Sequence, residues 1–283
     1  MEPCLAKRVT EAREFLKGER EAGNSVGLVP TMGFLHEGHL SLVRRARKEN
    51  DRCVVSIFVN PLQFGPSEDF NAYPRDLDRD LAQLSSEGVD LVFVPVAEDI
   101  FLPDHSVIVS ERSLSGFLCG SARPGHFDGV CTVVLKLFNI LHPDRAYFGE
   151  KDYQQLQVIR RMARDLDLEV EIVGCPIVRE KDGLAMSSRN TYLAGEERAQ
   201  AVALSRALVE ARSLFEAGER DSRSILTVIR KVVESYPLVS LEYAEVRDAE
   251  DLSPVERVKG KTVVALAVRV GKARLIDNTV LDP

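Results

Sequence analysis

Cysteine is scarce in this 283-residue sequence, and no two cysteines form a C-x-x-C pair. The five that occur are odd in number and widely spaced: Cys4, Cys53, Cys119, Cys131 and Cys175. A disulfide framework is normally built from an even set, and a zinc site from closely spaced thiols or histidines, so neither is indicated. We expect reduced thiols that pack mostly as small apolar residues.

Long apolar runs and an excess of positive charge are also missing. No apolar run reaches the roughly 18 residues of a transmembrane helix, and the N-terminus, with Glu2, Lys7 and Arg8, lacks a signal-peptide core. We therefore expect a cytoplasmic protein with no membrane partner. The net charge of −7 argues against nucleic acid as a partner. The composition, 45% apolar and 29% charged, is that of an ordinary globular protein long enough for two modest domains.

Apolar runs alternate with segments of helical periodicity over the first part of the chain. The runs that predict strands are residues 26–31, 53–60, 91–95, 146–148 and 170–173. The segments with a 3.6-residue repeat are 40–47, 77–86, 130–141 and 153–166. Strands this apolar, joined by helices, predict an α/β fold with a Rossmann-like parallel sheet and helices on both faces. In such folds ligands bind outside the carboxyl ends of the strands.

The pattern changes after about residue 177. Two long helices are predicted through residues 204–215 and 225–232, followed by short strands at 241–246, 262–268 and 273–276. The predicted organisation is a nucleotide-binding domain over residues 1–176 and a smaller C-terminal α+β domain over 177–283, which would close over the active site.

Two histidines three residues apart stand where the strand at 26–31 gives way to a helix. Pro30 and Gly33 favour a turn after the strand, and helical spacing then begins at Leu40. His36 and His39 therefore lie at the opening of that helix. Either one alone would more often be a solvent-facing or structural residue. A helix N-terminus, however, attracts anions through its unpaired N–H groups and its dipole, and imidazoles beside it add donors for phosphate oxygens.

Two further polar stretches follow strand ends. In F-V-N-P-L-Q-F, Asn60 and Gln63 offer amide groups among aromatic residues, although a Pro turn packed under those rings is an equal alternative. In F-G-E-K-D-Y-Q-Q, Gly149 lets backbone approach a ligand, Lys151 brings a positive charge to phosphate, and Asp152 can bind ribose hydroxyls. A solvated turn is the alternative there.

A fourth stretch, D-G-L-A-M-S-S-R-N, sets the hydroxyls of Ser187 and Ser188 beside the guanidinium of Arg189, a combination suited to a polyphosphate. An ordinary helix N-cap is the alternative there. Each of the four signals is weak by itself. Four in one chain, all of phosphate or nucleotide type, favour a nucleotide site.

These motifs, taken in order, resemble the pantoate-β-alanine ligase family of the nucleotidyltransferase superfamily. P-T-M-G-F-L-H-E-G-H is similar to the superfamily's H-x-G-H signature, and M-S-S-R stands where related synthetases carry K-M-S-K-S. F-V-N-P-L-Q-F, R-P-G-H-F-D-G-V and F-G-E-K-D-Y-Q-Q also match. The resemblance implies ATP-dependent condensation of pantoate with β-alanine through a pantoyl-adenylate, with release of pyrophosphate and then AMP. It also implies magnesium with the ATP and a homodimer.

The resemblance carries over to particular residues. It implies that His39 is catalytic, with His36 and Lys151 beside it on the phosphates, and that Gln63 and Gln155 bind pantoate. The implied ATP contacts are Met32, Gly33, Phe34, Leu35, His36, Glu37, Gly38, His39, Gly149, Glu150, Lys151, Asp152, Val178, Met186, Ser187, Ser188 and Arg189. Phosphate oxygens and water usually dominate the shell of such a magnesium ion.

The stretch G-S-A-R-P-G-H-F-D-G-V carries one arginine and one histidine. Gly125 and Gly129 predict a tight turn before a helix, so we expect Arg123 and His126 to shape the pocket wall without touching the reacting atoms.

Two other classes share parts of the pattern. Another nucleotidyltransferase would share the H-x-G-H site, but a tRNA synthetase relative should carry a basic module that the charge distribution lacks. A non-catalytic nucleotide sensor is expected to lose His39, Lys151 or the Ser-Ser-Arg set, and all of them are present.

Overall fold

The computed structural model describes residues 2–66 and 68–283, which group into two compact units. The first unit holds residues up to 113 together with 123–150 and 158–176. The second unit holds 114–122, 151–157 and 177–283. Two short segments that precede residue 177 therefore belong to the second unit, and the division of the chain at 176 and 177 stays a prediction.

A six-stranded sheet forms the centre of the first unit. Its strands are β1 (Cys4–Ala6), β2 (Val26–Thr31), β3 (Arg52–Ile57), β4 (Leu91–Phe93), β5 (Arg145–Gly149) and β6 (Glu171–Cys175). Neighbouring strands pair in parallel in the order β1-β4-β3-β2-β5-β6. The predicted Rossmann-like parallel sheet is thus confirmed.

Helices alternate with these strands along the described part of the chain up to β6. They are α1 (Val9–Glu21), α2 (Glu37–Glu49), α3 (Leu77–Ser86), α4 (Ala97–Ile100), α5 (Leu118–Ala122), α6 (His126–Leu141) and α7 (Tyr153–Asp165). Short 3-10 helices span Pro61–Gln63, Leu114–Gly116 and Glu150–Asp152. Helices flank the sheet because its strands are apolar on both faces, as in Val54 and Val55 of β3, which are both fully buried.

Strand order places a switch point at β2. Strands β3 and β4 continue from β2 on one side, whereas β5 pairs with its other side. In open parallel sheets the crevice outside the carboxyl ends at such a point is where ligands bind. The two motifs that follow β2 and β5 therefore begin at this crevice.

The second unit contains a separate antiparallel sheet. Its helices are α8 (Gly195–Gln200), α9 (Ala203–Glu216) and α10 (Ser222–Glu234), after a 3-10 helix at Ser188–Tyr192. Strands β7 (Val239–Asp248), β8 (Thr262–Val270) and β9 (Ala273–Leu281) pair in that order. Leu204 and Leu208 of α9 and Ile225 and Ile229 of α10 are buried in a core that these strands share, so the predicted α+β organisation is confirmed.

Element bounds differ from the prediction at several points. Strand β3 ends at Ile57 instead of residue 60, because Asn60 already caps the 3-10 helix that Pro61 begins. Strand β1 and helix α1 carried too little apolar signal to be predicted: α1 buries only Ala12 and Leu16. Among the described residues, no helix is long and apolar enough to cross a membrane.

Candidate active site

The two motif histidines cap helix α2 at the carboxyl end of β2. His36 is the N-cap residue, and its Nδ1 accepts a hydrogen bond from the backbone N–H of Gly38 at 3.1 Å. His39 Nδ1 accepts from the backbone N–H of His36 at 3.3 Å, and the two ring centroids are 4.0 Å apart. The prediction that both histidines lie at the opening of this helix is confirmed.

These hydrogen bonds select one form of each imidazole. A ring nitrogen that accepts an N–H carries no proton, so the neutral ring holds its proton on Nε2. The neutral rings of His36 and His39 therefore both carry an Nε2–H donor. Two such donors at a helix N-terminus suit the oxygen atoms of a phosphate.

The turn that precedes the histidines is held by a carboxylate from helix α3. Asp80 Oδ2 accepts from the backbone N–H of Phe34 and Oδ1 from that of Leu35, both at 2.7 Å. Arg79 donates to the Leu35 carbonyl at 3.1 Å, and its guanidinium lies over the Phe34 ring. Asp80 is almost fully buried, and this burial raises the pKa of its carboxyl group above the usual range.

Unusual backbone angles explain why such a clamp is needed. Gly33 has a φ of 80° and Phe34 has a φ of 51°, a region that residues other than glycine rarely enter. A Cβ at Gly33 would also lie 2.9 Å from Ile57 and 3.1 Å from Asp80. Sequence reasoning missed Asp80, because it lies 46 residues beyond Phe34 and belongs to no motif.

The amide residues of F-V-N-P-L-Q-F form a small cluster in the same unit. Asn60 donates to the side-chain oxygen of Gln63 at 3.1 Å and to the carbonyl of Gly129 at 3.0 Å. Gln63 Nε2 contacts Met32 Sδ at 3.2 Å. The structure thus brings together two predicted site residues, Met32 and Gln63, while Asn60, which is buried, serves as the cap of the Pro61 turn.

Arg123 and His126 contact the backbone of Gln63. His126 Nδ1 lies 2.8 Å from the Gln63 carbonyl oxygen, and Arg123 Nη2 donates to that oxygen at 3.1 Å. Arg123 also forms a bidentate ion pair with Glu68 at 2.7 and 2.5 Å. Burial opposes ionisation of Glu68, but its hydrogen bonds to Arg123 prevail, so the pKa of its carboxyl group is lowered.

Only one of the two glycines predicted to form a tight turn precedes helix α6. Gly125, with a φ of 80°, is the N-cap of α6, whereas Gly129 lies inside that helix. A Cβ on Gly129 would lie 2.3 Å from the carbonyl oxygen of Leu62 and 2.6 Å from the nitrogen of Gln63. Gly129 therefore lets the Pro61–Gln63 turn pack directly against α6. The prediction was wrong for this residue because the turn it accommodates belongs to another segment.

Residues 149–152 continue from β5. Gly149 ends the strand, and a Cβ there would meet no atom of the chain within 4 Å, so packing does not demand glycine. In the second unit, Lys151 Nζ lies 3.8 Å from the carboxylate of the exposed Asp152. Gln155 is partly buried, in contrast to its buried neighbour Gln154, which donates to the carbonyls of Leu114 and Phe117.

The remaining predicted residues of the second unit lie on a short hairpin and the turn after it. Met186 N–H donates to the Val178 carbonyl at 3.0 Å, and the hairpin reverses near Gly183, which has a φ of 95°. Ser187 then caps the 3-10 helix by accepting from Arg189 N–H at 3.3 Å. The cap that the sequence left as an alternative is therefore present, and Ser188 beside it is buried.

The described part of the chain holds no group of three or more His, Cys, Asp or Glu side chains arranged to bind a metal ion. All five cysteines are free thiols, and four of them are buried.

The chain is similar over nearly its whole length to proteins of one family. A family model described as pantoate-beta-alanine ligase matches residues 4–280. A pantothenate synthetase of Pseudothermotoga lettingae is 55% identical over 277 residues, which is 98% of either chain. The crystal structure of the Thermus thermophilus pantothenate synthetase superposes with a TM-score of 0.94 at 47% identity and covers 99% of this chain and 100% of that one. A Francisella tularensis pantoate-beta-alanine ligase, complexed with beta-gamma ATP and beta-alanine, gives 0.81 at 32% identity and covers 98% and 97%.

Proposed function

This chain belongs to the pantoate-β-alanine ligase family, and we propose that it condenses pantoate with β-alanine in two steps, of which the first consumes ATP. In the first, a carboxylate oxygen of pantoate attacks the α-phosphorus of ATP, and pyrophosphate leaves. In the second, the β-alanine amine attacks the acyl carbon of pantoyl-adenylate, AMP leaves, and the amine loses a proton. The observation that carries the proposal is the pair of Nε2–H donors that His36 and His39 present at the N-terminus of α2.

The first step needs positioning and charge stabilisation more than an activated nucleophile. A carboxylate is already nucleophilic at neutral pH, so neither a serine nor a general base is required. Negative charge grows on the phosphate oxygens as the bond to pyrophosphate breaks. Fixed donors such as His36, His39 and the N–H groups of the first turn stabilise that charge without having to reorganise. Lys151 would add a positive charge to the same phosphates.

The other predicted residues have roles in the same proposal. Gln63 and Gln155 would hold the hydroxyl and carboxylate groups of pantoate. The contacts to ATP would come from residues 32–39 and 149–152, and from Val178, Met186, Ser187, Ser188 and Arg189. Glu37 would contribute through its backbone, since its side chain pairs with Arg44 of the same helix.

Magnesium, a homodimer and a cytoplasmic location complete the proposal. Magnesium would enter with ATP, held mainly by phosphate oxygens and water. The closing of residues 177–283 over the bound substrates also stays a proposal.

Isotope exchange between pyrophosphate and ATP tests the stepwise reaction. If pantoyl-adenylate forms, labelled pyrophosphate should enter ATP when pantoate is present and β-alanine is absent. Omission of pantoate, with β-alanine in its place, is the control and should abolish exchange. Exchange that needed β-alanine would contradict the two-step order.

A further inference from the structure

Two adjacent polar residues of strand β9 are buried in the second unit. Asp277 is 2% exposed and Asn278 is 4% exposed. Burial of a carboxylate and of an amide is costly unless each is fully hydrogen-bonded. Their partners show what these two residues do.

Asp277 holds the hairpin that follows residue 177. Its carboxylate forms a bidentate ion pair with Arg179, at 2.6 and 3.0 Å. Arg179 also donates to the carbonyl of Gly183, at 3.0 Å, across the reversal of the hairpin. The hairpin carries Val178 and leads into Met186, so one carboxylate fixes a segment assigned to ATP.

Asn278 holds the other segment assigned to ATP in this unit. Its Nδ2 donates to the backbone carbonyl of Lys151 at 2.9 Å. Its backbone N–H donates to Asp277 Oδ1 at 2.8 Å, which joins the two residues in one hydrogen-bond network. Adjacent side chains of a strand leave on opposite faces, so β9 is joined to a different segment on each face.

We propose that Asp277 and Asn278 are positioning residues, which set the spacing between Lys151 and the 178–186 hairpin and so determine how well ATP binds. The inference rests on the proposed function, because it takes these two segments as ATP contacts. Neither residue needs to touch a substrate, since each acts through the segment it holds. If the pair served only to satisfy buried polar groups, its loss would lower stability without a selective effect on ATP.

Variants of Asn278 test the proposal in the full-length protein. Asn278→Asp keeps the shape of the side chain but turns an oxygen toward the Lys151 carbonyl, and Asn278→Ala removes the side chain. Thr279→Val is the matched control, since Thr279 is the next residue of β9 and its hydroxyl accepts from Arg212. Both half-reactions are followed in single turnovers: pyrophosphate release from ATP and pantoate, and attack of β-alanine on preformed pantoyl-adenylate.

Loss of one such hydrogen bond should raise the KM for ATP about fivefold to tenfold in both Asn278 variants. The KM for pantoate and the rate of the second half-reaction should stay within about twofold of wild type. Thr279→Val should match wild type. Equal damage to both half-reactions, an unchanged KM for ATP, or loss of the folded state in both variants would overturn the positioning role. A wild-type enzyme that shows no pantoate-dependent exchange would instead refute the proposed function itself.

Discussion

His39 Nδ1 accepts a hydrogen bond from the backbone N–H of His36, while His36 Nδ1 accepts from Gly38. The first turn of helix α2 is thereby capped by the two side chains proposed to bind phosphate. One set of hydrogen bonds gives both rings the same tautomer and fixes the direction of their donors. If these two rings bind phosphate, stability and ligand binding are coupled at this helix end.

Replacement of His39 by alanine should separate these two contributions. Loss of one preorganised donor typically lowers the rate of such a step by ~10²- to 10³-fold, whereas loss of a capping contact costs ~1 kcal/mol of folding free energy. Pyrophosphate release in single turnovers and urea unfolding measure the two effects. His142→Asn is the control, because His142 ends α6 in a left-handed conformation that asparagine tolerates. Near-normal adenylation by His39→Ala would leave His39 with a structural role only.

Arg189→Ala should affect the two half-reactions unequally. If the guanidinium binds the triphosphate, its removal raises the KM for ATP and slows adenylation by ~10-fold or more. Attack of β-alanine on preformed pantoyl-adenylate should stay within about threefold of wild type, because pyrophosphate has already left. Arg160→Ala, on the exposed surface of α7, is the control. A similar loss in both steps would show that Arg189 does not act on the triphosphate.

Asp80→Asn should destabilise the protein through the turn before the histidines. An amide can accept from only one of the two N–H groups of Phe34 and Leu35 and turns its own NH2 toward the other, at a cost of ~1–3 kcal/mol. Asp78→Asn, at an exposed position of the same helix, should change little. Urea unfolding of both variants and the wild type at pH 7 measures the difference.

The pH dependence of that difference has a defined sign. Burial raises the pKa of Asp80 above its ordinary value of 3.8. Between the pKa of Asp80 in the unfolded chain and its raised pKa in the folded protein, the folded protein binds more protons than the unfolded chain. The contribution of Asp80 to the free energy of unfolding therefore falls as pH rises through this range. An asparagine side chain does not titrate, so the deficit of Asp80→Asn should be largest near pH ~4 and shrink toward neutral pH. A deficit that grew with pH would mean that the ionised carboxylate is the favoured form.

Gly129→Ala and Gly18→Ala form a matched pair of helix substitutions. Alanine normally stabilises a helix interior by ~0.5–1 kcal/mol relative to glycine, and Gly18 of α1 has open space around its missing Cβ. At Gly129 the new methyl group would collide with the Leu62 carbonyl, so we expect a loss of ~1–3 kcal/mol and a higher KM for pantoate as Gln63 shifts. Thermal unfolding and steady-state kinetics measure both. Equal stability of the two variants would contradict the close approach.

Local patterns in the sequence determined much of this protein. Apolar runs of strand length and the spacing after Leu40 place His36 and His39 between β2 and α2, because hydrophobic periodicity reports which face of an element is buried. The helix at Leu77–Ser86 was predicted to its ends, since its apolar residues repeat without interruption. Short elements such as β1 were not predicted, because three residues are too few to show a hydrophobic period.

Only the tertiary structure decided what holds the site residues in place. Asp80 reaches the Phe34 turn, Glu68 pairs with Arg123 across 55 positions of the chain, and Asn278 binds the backbone of Lys151 across 127. Each of these residues lies in a segment whose own pattern predicts no such role, because a buried hydrogen bond between distant segments depends on how the chain folds back and leaves no local period. The sequence thus determined where the predicted site residues lie in their own elements, and long-range packing decided how the segments that carry them are held.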